Sequence, residues 1–242
     1  PDGKLALNVE CKEGKAFYTV DYNGKQMLGA SALGLVANYG DFSQNLKMGA
    51  LKSEKKHLAY KMTRIKKEKI EKDAYEATIG FINSKKDSMT LHLHVSNNDI
   101  AYKYEMIRPK KDNPKSVIIY HEVSGFNFPE QTTTFLCPQI TPMTGWERTK
   151  PSYEEEYTPD APMNVKSQFG VGYTFPCLFK VGNDGWVLVS ETGVSSAYPG
   201  CRLSDYEPGK GYTVAFPQKG ENNGFGSEFA GIPLPGETPW RT

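Results

Sequence analysis

What most limits the fold of this chain is the alternation of apolar and polar residues in short runs, cut at close intervals by glycine and proline. In TLHLHVSNNDIAYKYEMI, Leu91, Leu93 and Val95 fall on one face of an extended chain. After a turn from Ser96 to Asp99, Ile100, Tyr102, Tyr104 and Met106 fall on one face of the return. A period of two buries one face of a strand, whereas a helix needs apolar positions three and four apart. Leu5, Leu7 and Val9 alternate in the same way, and AFYTVDYNGKQML sets Asn23-Gly24 between two strand-like halves. That dipeptide suits a two-residue type I′ turn, because both of its positions require a positive φ. The N-terminus therefore reads as a β-meander. SVIIYHEV, GYTFPCLFKV, GWVLVSE and GYTVAFP continue the pattern, and 23 Gly with 16 Pro leave no stretch for long helices. The fold class predicted is all-β, an antiparallel two-sheet sandwich.

At 242 residues and 38% hydrophobic content the chain can bury a full core, as one large β domain or as two smaller ones. Lys and Arg total 29 against 28 for Asp and Glu, so the net charge is +1. No global field draws such a chain onto nucleic acid or an anionic membrane, and the expected partner is neutral. No apolar run approaches the roughly 20 residues that span a bilayer as a helix. The opening PDGKLALNV has neither a charged nor an apolar leader segment, and a signal peptide removed earlier is compatible with it. Cys11, Cys137, Cys177 and Cys201 are scattered, with no CxxC pair and no histidine at zinc-site spacing, so a zinc site is not expected; the even count permits two disulfides in three connectivities, and buried free thiols are the favoured reading.

Two segments break the alternation. YKMTRIKKEKIEKDAYEATIGF is dense in lysine, but its acids dilute the charge, and lysine on an edge strand blocks mispairing. It reads as a solvated edge. CPQITPMTGWERTKPSYEEEYTPDAPMNVKSQFG is long and proline-rich, and its Trp146, Tyr153 and Tyr157 offer flat faces for a sugar, for a neighbouring domain or for the loop's own sheet.

Catalytic signatures are missing from the sequence: it has no GxSxG elbow, no Gly-rich phosphate loop and no HExxH. His92 and His94 lie two apart on one strand face, without a third ligand in view, and an exposed strand face is the expectation. One acid stands out. The apolar run Trp186 to Val189 stops at Ser190-Glu191, and Glu191 opens a loop of Gly, Ser and Pro that ends in Tyr198-Pro199-Gly200. Taken alone, Glu191 reads as an exposed acid at a strand end, a kind of position where substitutions usually stay within about 0.5 kcal/mol.

The order of motifs is more specific than any one of them. PDGKLALNV, YNGKQML, NNDIAYKYEM, a Trp followed by YEEEY, GWVLVSETGVSSAYPGCRL and PGETPWRT together resemble the N-terminal domain of glycoside hydrolase family 97, from Pro1 to Thr242. The family includes bacterial calcium-dependent α-glucosidases and α-galactosidases, many of them in Bacteroides-type glycan utilisation systems. The resemblance implies a galactose mutarotase-like β-super-sandwich over residues 1–242, followed by a (β/α)8 catalytic barrel and a small C-terminal β domain that lie outside this chain. It implies that this chain holds no catalytic carboxylate and is inactive alone, and that its partners are the barrel and an α-linked oligosaccharide. It implies a periplasmic or secreted home. It also implies that Glu191 reaches the barrel's calcium as one oxygen ligand, with the barrel supplying the rest. Trp146, Tyr153, Tyr157 and Tyr198 are the candidate sugar-contacting rings. Here Ser-Ser-Ala precedes Tyr198, where relatives are expected to carry an acid. The alternative is a stand-alone sugar binder or mutarotase-like isomerase, in which His92, His94 or His121 would work with a glutamate.

Overall fold

Positive backbone angles set the first two turns of the chain. Asn23 and Gly24 have φ of 51° and 73°, as a type I′ hairpin demands, and Glu13 and Gly14 repeat the arrangement with 50° and 74°. The strands they join, Leu5–Lys12, Lys15–Tyr22 and Lys25–Leu33, form the expected meander. The computed structural model describes residues 1–111, 113–140, 155–221 and 228–242.

Among the described residues there is no helix, and every strand pair is antiparallel. The ladders group into sheets of three, four, four, four and seven strands around one contiguous apolar core. The sandwich predicted from alternation is present, with its layers divided into shorter ladders. Register shifts at Tyr18/Val20, Met48/Leu51 and Ile119/His121 are among the breaks.

The largest sheet holds the second expected hairpin, Ser88–Val95 with Ile100–Met106. Leu91 faces Tyr104 and Leu93 faces Tyr102, all four buried, and the Ser96 amide closes the turn on the Asp99 carbonyl at 2.9 Å. Beyond it lies the long hairpin Lys47–Lys61 and Lys69–Ile82, with Lys47–Lys61 at the sheet edge. Only Lys56 and Leu58 of that strand are even partly covered. The lysine-rich segment from Tyr60 to Phe81 is a solvated edge only in part: residues 62–68 are exposed, but Lys69–Ile82 pairs on both sides, with Ala74, Ile79 and Phe81 buried, so the exposed edge is the preceding strand.

At the other side of the same sheet, the C-terminal strand Trp240–Arg241 lies between Glu191–Thr192 and Ile100–Met106. Arg241 stands opposite both Glu191 and Tyr102. The Thr238 hydroxyl accepts the Tyr104 amide at 3.1 Å, and the Thr238 amide donates to the Tyr104 carbonyl at 2.9 Å. The end of the sequence is thus stitched into the middle of the molecule.

One glycine fixes how the chain passes from the meander to the core. Gly34 has φ of 131°, and a Cβ on it would stand 2.1 Å from the Phe42 carbonyl oxygen. Its amide donates to the Tyr104 hydroxyl at 2.9 Å. Gly34→Ala therefore meets both a forbidden backbone angle and a backbone atom that cannot yield. It is expected to cost about 2 kcal/mol or more in urea unfolding, and a loss under about 0.5 kcal/mol would show that the close approach is not maintained in solution.

Candidate functional site

Arg241 is the largest of the fully buried side chains, which a charged residue tolerates only when it is paired. Trp240 before it stays partly exposed, and strand alternation turns Arg241 inward. There Nε donates to Glu122 Oε2 at 3.1 Å and an Nη donates to Glu122 Oε1, a two-bond fork on a carboxylate that is itself buried. The other Nη donates to Glu191 Oε2 at 2.6 Å. The guanidinium also reaches the Cys201 sulfur at 3.5 Å and sits 5.8 Å from the centre of the Tyr198 ring.

The carboxylates are held from their far sides. Glu122, the last residue of Ser116–Glu122, accepts the Ser124 hydroxyl at 2.9 Å and the Tyr198 hydroxyl. Ser124 continues to the Tyr104 hydroxyl at 2.9 Å. Glu191 opens the strand Glu191–Thr192 and accepts the Cys201 amide on Oε1 at 2.8 Å. The side chains of Arg241 and Glu122 have no exposure, while that of Glu191 keeps 11%. Glu191 is therefore the outward member of the set.

The charge count decides what the cluster can do. Two carboxylates share one guanidinium, leaving one negative charge in excess when both are ionised. Burial works against the Arg241 charge, but Glu122 outweighs it and holds the guanidinium protonated well above its usual range. Burial pushes the Glu191 carboxyl up from its ordinary value, with Arg241 and the Cys201 amide opposing and Glu122 adding to the rise. The Tyr198 phenol is likewise raised, by burial and then by Glu122. The arrangement holds one carboxylate near the surface in a field that favours gaining a cation or a proton.

These positions revise the bare reading of Glu191. It is not an ordinary exposed acid, because its strand end is closed by Cys201 and by the C-terminal strand. Tyr198 lies 4% exposed with its hydroxyl on Glu122 and its ring against Phe216, so within this chain it has no free face. Tyr157 is exposed, while Trp146 and Tyr153 lie outside the described residues. His92 and His94 share a strand face as expected, and each faces an acid: His92 Nε2 is 2.8 Å from Glu105 and His94 Nε2 is 3.6 Å from Asp99. His121 is exposed. Among the described residues no three His, Cys, Asp or Glu side chains come together as a metal site. Glu122 and Arg241 escaped sequence reasoning. The available signals were a glutamate closing the apolar run SVIIYHEV and an arginine inside the apolar end of the chain.

The comparisons identify the class of protein. A family model described as Glycosyl-hydrolase 97 N-terminal matches residues 1–242, and the chain belongs to that family. Among solved structures, a beta-arabinopyranosidase is 52% identical over the whole chain, with a TM-score of 0.94. Two structures of a Glycoside Hydrolase Family 97 enzyme from Pseudoalteromonas sp. strain K8, an E480Q variant with panose and a complex with acarbose, are each 16% identical with TM-scores of 0.78 and share the fold. The chain covers 38% of the first and 34% of each of the others. No curated protein matches it.

Among the described residues Arg241 is the only cation paired with Glu122 and Glu191, and Arg241→Met removes it. The substitution should cost roughly 3 to 5 kcal/mol in urea unfolding, and a loss below about 1 kcal/mol would mean that the carboxylates escape to water. Glu191→Gln should cost less, because it removes the surplus charge and keeps an acceptor for the Cys201 amide. Its pH dependence has a defined sign. A carboxyl whose folded pKa is raised contributes stability below its unfolded value of 4.5, which is lost as pH rises through the folded value. The stability gap between wild type and Glu191→Gln should therefore shrink from pH 4 toward neutrality, and a gap that widens would contradict the raised carboxyl.

Proposed function

We propose that this chain is the non-catalytic N-terminal domain of a larger glycosidase, packing on a (β/α)8 catalytic barrel and donating Glu191 to a calcium ion at the barrel's active site. The observation that carries the enzyme assignment is the 52% identity, over the whole chain, to a beta-arabinopyranosidase. That likeness favours terminal β-arabinopyranosides as substrates. A β-L-arabinopyranoside has the ring configuration of an α-D-galactoside without its hydroxymethyl group, so of the two α-glycosides expected from the sequence, galactosides are the nearer in shape.

Calcium takes 6 to 8 oxygen ligands, and one protein carboxylate does not make a site. This chain suits the part of a single contributor. Glu191 is fixed by Arg241 and the Cys201 amide, each using one oxygen, its side chain keeps 11% exposure, and with both acids ionised the cluster carries one negative charge in excess. When bound, the ion would supply charge stabilisation at the reacting sugar. The role of Glu191 is to present its carboxylate at a set position and charge. Arg241 is the positioning residue behind it.

A second reading, a stand-alone mutarotase-like isomerase, draws on the His92–Glu105 pair, which lies 2.8 Å apart on the sheet face where Lys103 and Trp240 line a shallow cavity of about 500 Å³. The parent reading frame separates the two, since a frame ending at Thr242 supports only the isomerase.

The test is to assay the full-length parent on nitrophenyl β-L-arabinopyranoside, α-D-galactoside and α-D-glucoside across a calcium titration. Wild type should prefer the arabinopyranoside. Glu191→Gln should raise the calcium needed for half-maximal activity by roughly 10-fold or more. The chain Pro1–Thr242 alone should turn over none of the three. Identical calcium dependence in wild type and variant would remove Glu191 from the metal, and turnover by the short chain that a point substitution abolishes would refute the non-catalytic reading.

A further inference from the structure

Two sheet edges of this molecule are treated in opposite ways. The edge strand Lys47–Lys61 carries five lysines and stands in water. The edge strand Gly185–Val189 carries no lysine and no proline, and its Trp186 and Leu188 are each 57% exposed. A flat apolar edge with unpaired backbone groups invites another strand, and proteins ordinarily blunt such edges or cover them. This one borders an open cavity of about 600 Å³ between the N-terminal meander and the large sheet. Tyr102, 3% exposed, is among the residues that line it.

The pairing next to this edge fixes what could cover it. Thr192 stands opposite Trp240 and Glu191 opposite Arg241. One step further, the Ser190 amide donates to the Thr242 carbonyl at 2.7 Å and the Thr242 amide returns a bond to Ser190 at 3.0 Å. Ser190 thus turns both of its backbone groups toward the C-terminal strand. Alternation along a regular strand directs those of Leu188 and Trp186 to the same side, while Val189 and Val187 pair with Cys177 and Phe179 on the other. The antiparallel register therefore extends directly along the free edge.

We propose that Gly185–Val189 is a docking edge for an extended strand that continues Trp240–Thr242 into the remainder of the parent glycosidase. The second and fourth residues of that continuation bond to the backbone of Leu188 and Trp186. The first and third share the inward face of Val189 and Val187 and fill the cavity, so they are apolar. The cavity is then a joint between this domain and the rest of the enzyme. The proposal rests on reading the chain as part of a longer glycosidase, and it adds which surface that enzyme covers and by what kind of contact.

Hydrogen exchange, read amide by amide in the chain Pro1–Thr242 and in the full-length parent, tests it. The amides of Trp186 and Leu188 should exchange on the order of 100-fold more slowly in the parent. Leu188→Pro gives a second measurement, since proline is tolerated where an edge N–H faces water and not where that N–H is bonded. It should leave the melting temperature of the short chain nearly unchanged and lower that of the parent by several degrees. Fast exchange in both proteins, or equal effects of Leu188→Pro, overturns the proposal and leaves the glycosidase reading standing. Protection already present in the short chain, including pairing between two copies, also overturns it. A parent frame that stops at Thr242 removes both readings together.

Discussion

The fork between Arg241 and Glu122 is the constraint on which the rest of the molecule depends. A guanidinium with no exposure is tolerable only where its donors are taken up, and here the acceptors come from remote parts of the chain: Glu122 from the centre of the sequence and Glu191 from the loop after Val189. The pair consequently closes two long loops at once. It also dictates the positions of Ser124, Tyr198 and Tyr104, each of which gives its hydroxyl to the set or to a neighbour within it. A purely apolar cluster of the same volume would hold the sheets together as well or better. What the charged cluster adds is direction: the guanidinium of the C-terminal strand is bonded to both oxygens of Glu122 and to one of Glu191.

Much of the fold was legible because alternation is a local signal. Leu91, Leu93, Tyr102 and Tyr104 could be assigned to one buried face from spacing alone, and Asn23-Gly24 named its own turn. The division of the sandwich into short ladders was not legible, since register breaks such as that between Ile119 and His121 depend on what the strand meets across the sheet. The site was legible only in part. Glu191 drew notice by ending an apolar run, but its burial comes from Arg241 and Cys201, which are far along the chain or lie across a loop. Periodicity reports which face of a strand is apolar. It carries nothing about which buried acid will meet which buried base.

Family membership and physical reading meet at Glu191 from different directions. Motif order puts the acid in a segment shared with glycosidases, and by itself assigns it no geometry. The structure gives a carboxylate with both oxygens engaged, a raised tendency to bind a proton, and a small opening to solvent. Those properties belong to a group that is kept charged only at some cost and would gain from a cation supplied from outside. They also explain why the acid can be precise. Its position is set by a guanidinium anchored in the core and by a backbone amide, and neither moves with the surface loop that follows.

The same logic orders the surfaces. The chain has sheet edges of two kinds, lysines along Lys47–Lys61 and apolar side chains along Gly185–Val189, as a domain that joins a partner in the way proposed would need. The apolar edge runs straight into Ser190-Glu191, and the strand that closes Glu191 is the one whose register extends along that edge. Coverage of the edge and placement of the acid are therefore coupled through the backbone. A strand laid on Leu188 and Trp186 would tighten the ladder at Ser190 and Thr242, and through Arg241 it would fix the carboxylate more firmly. The metal site proposed for Glu191 would require that coupling, because a ligand donated across a joint is only as well positioned as the joint itself.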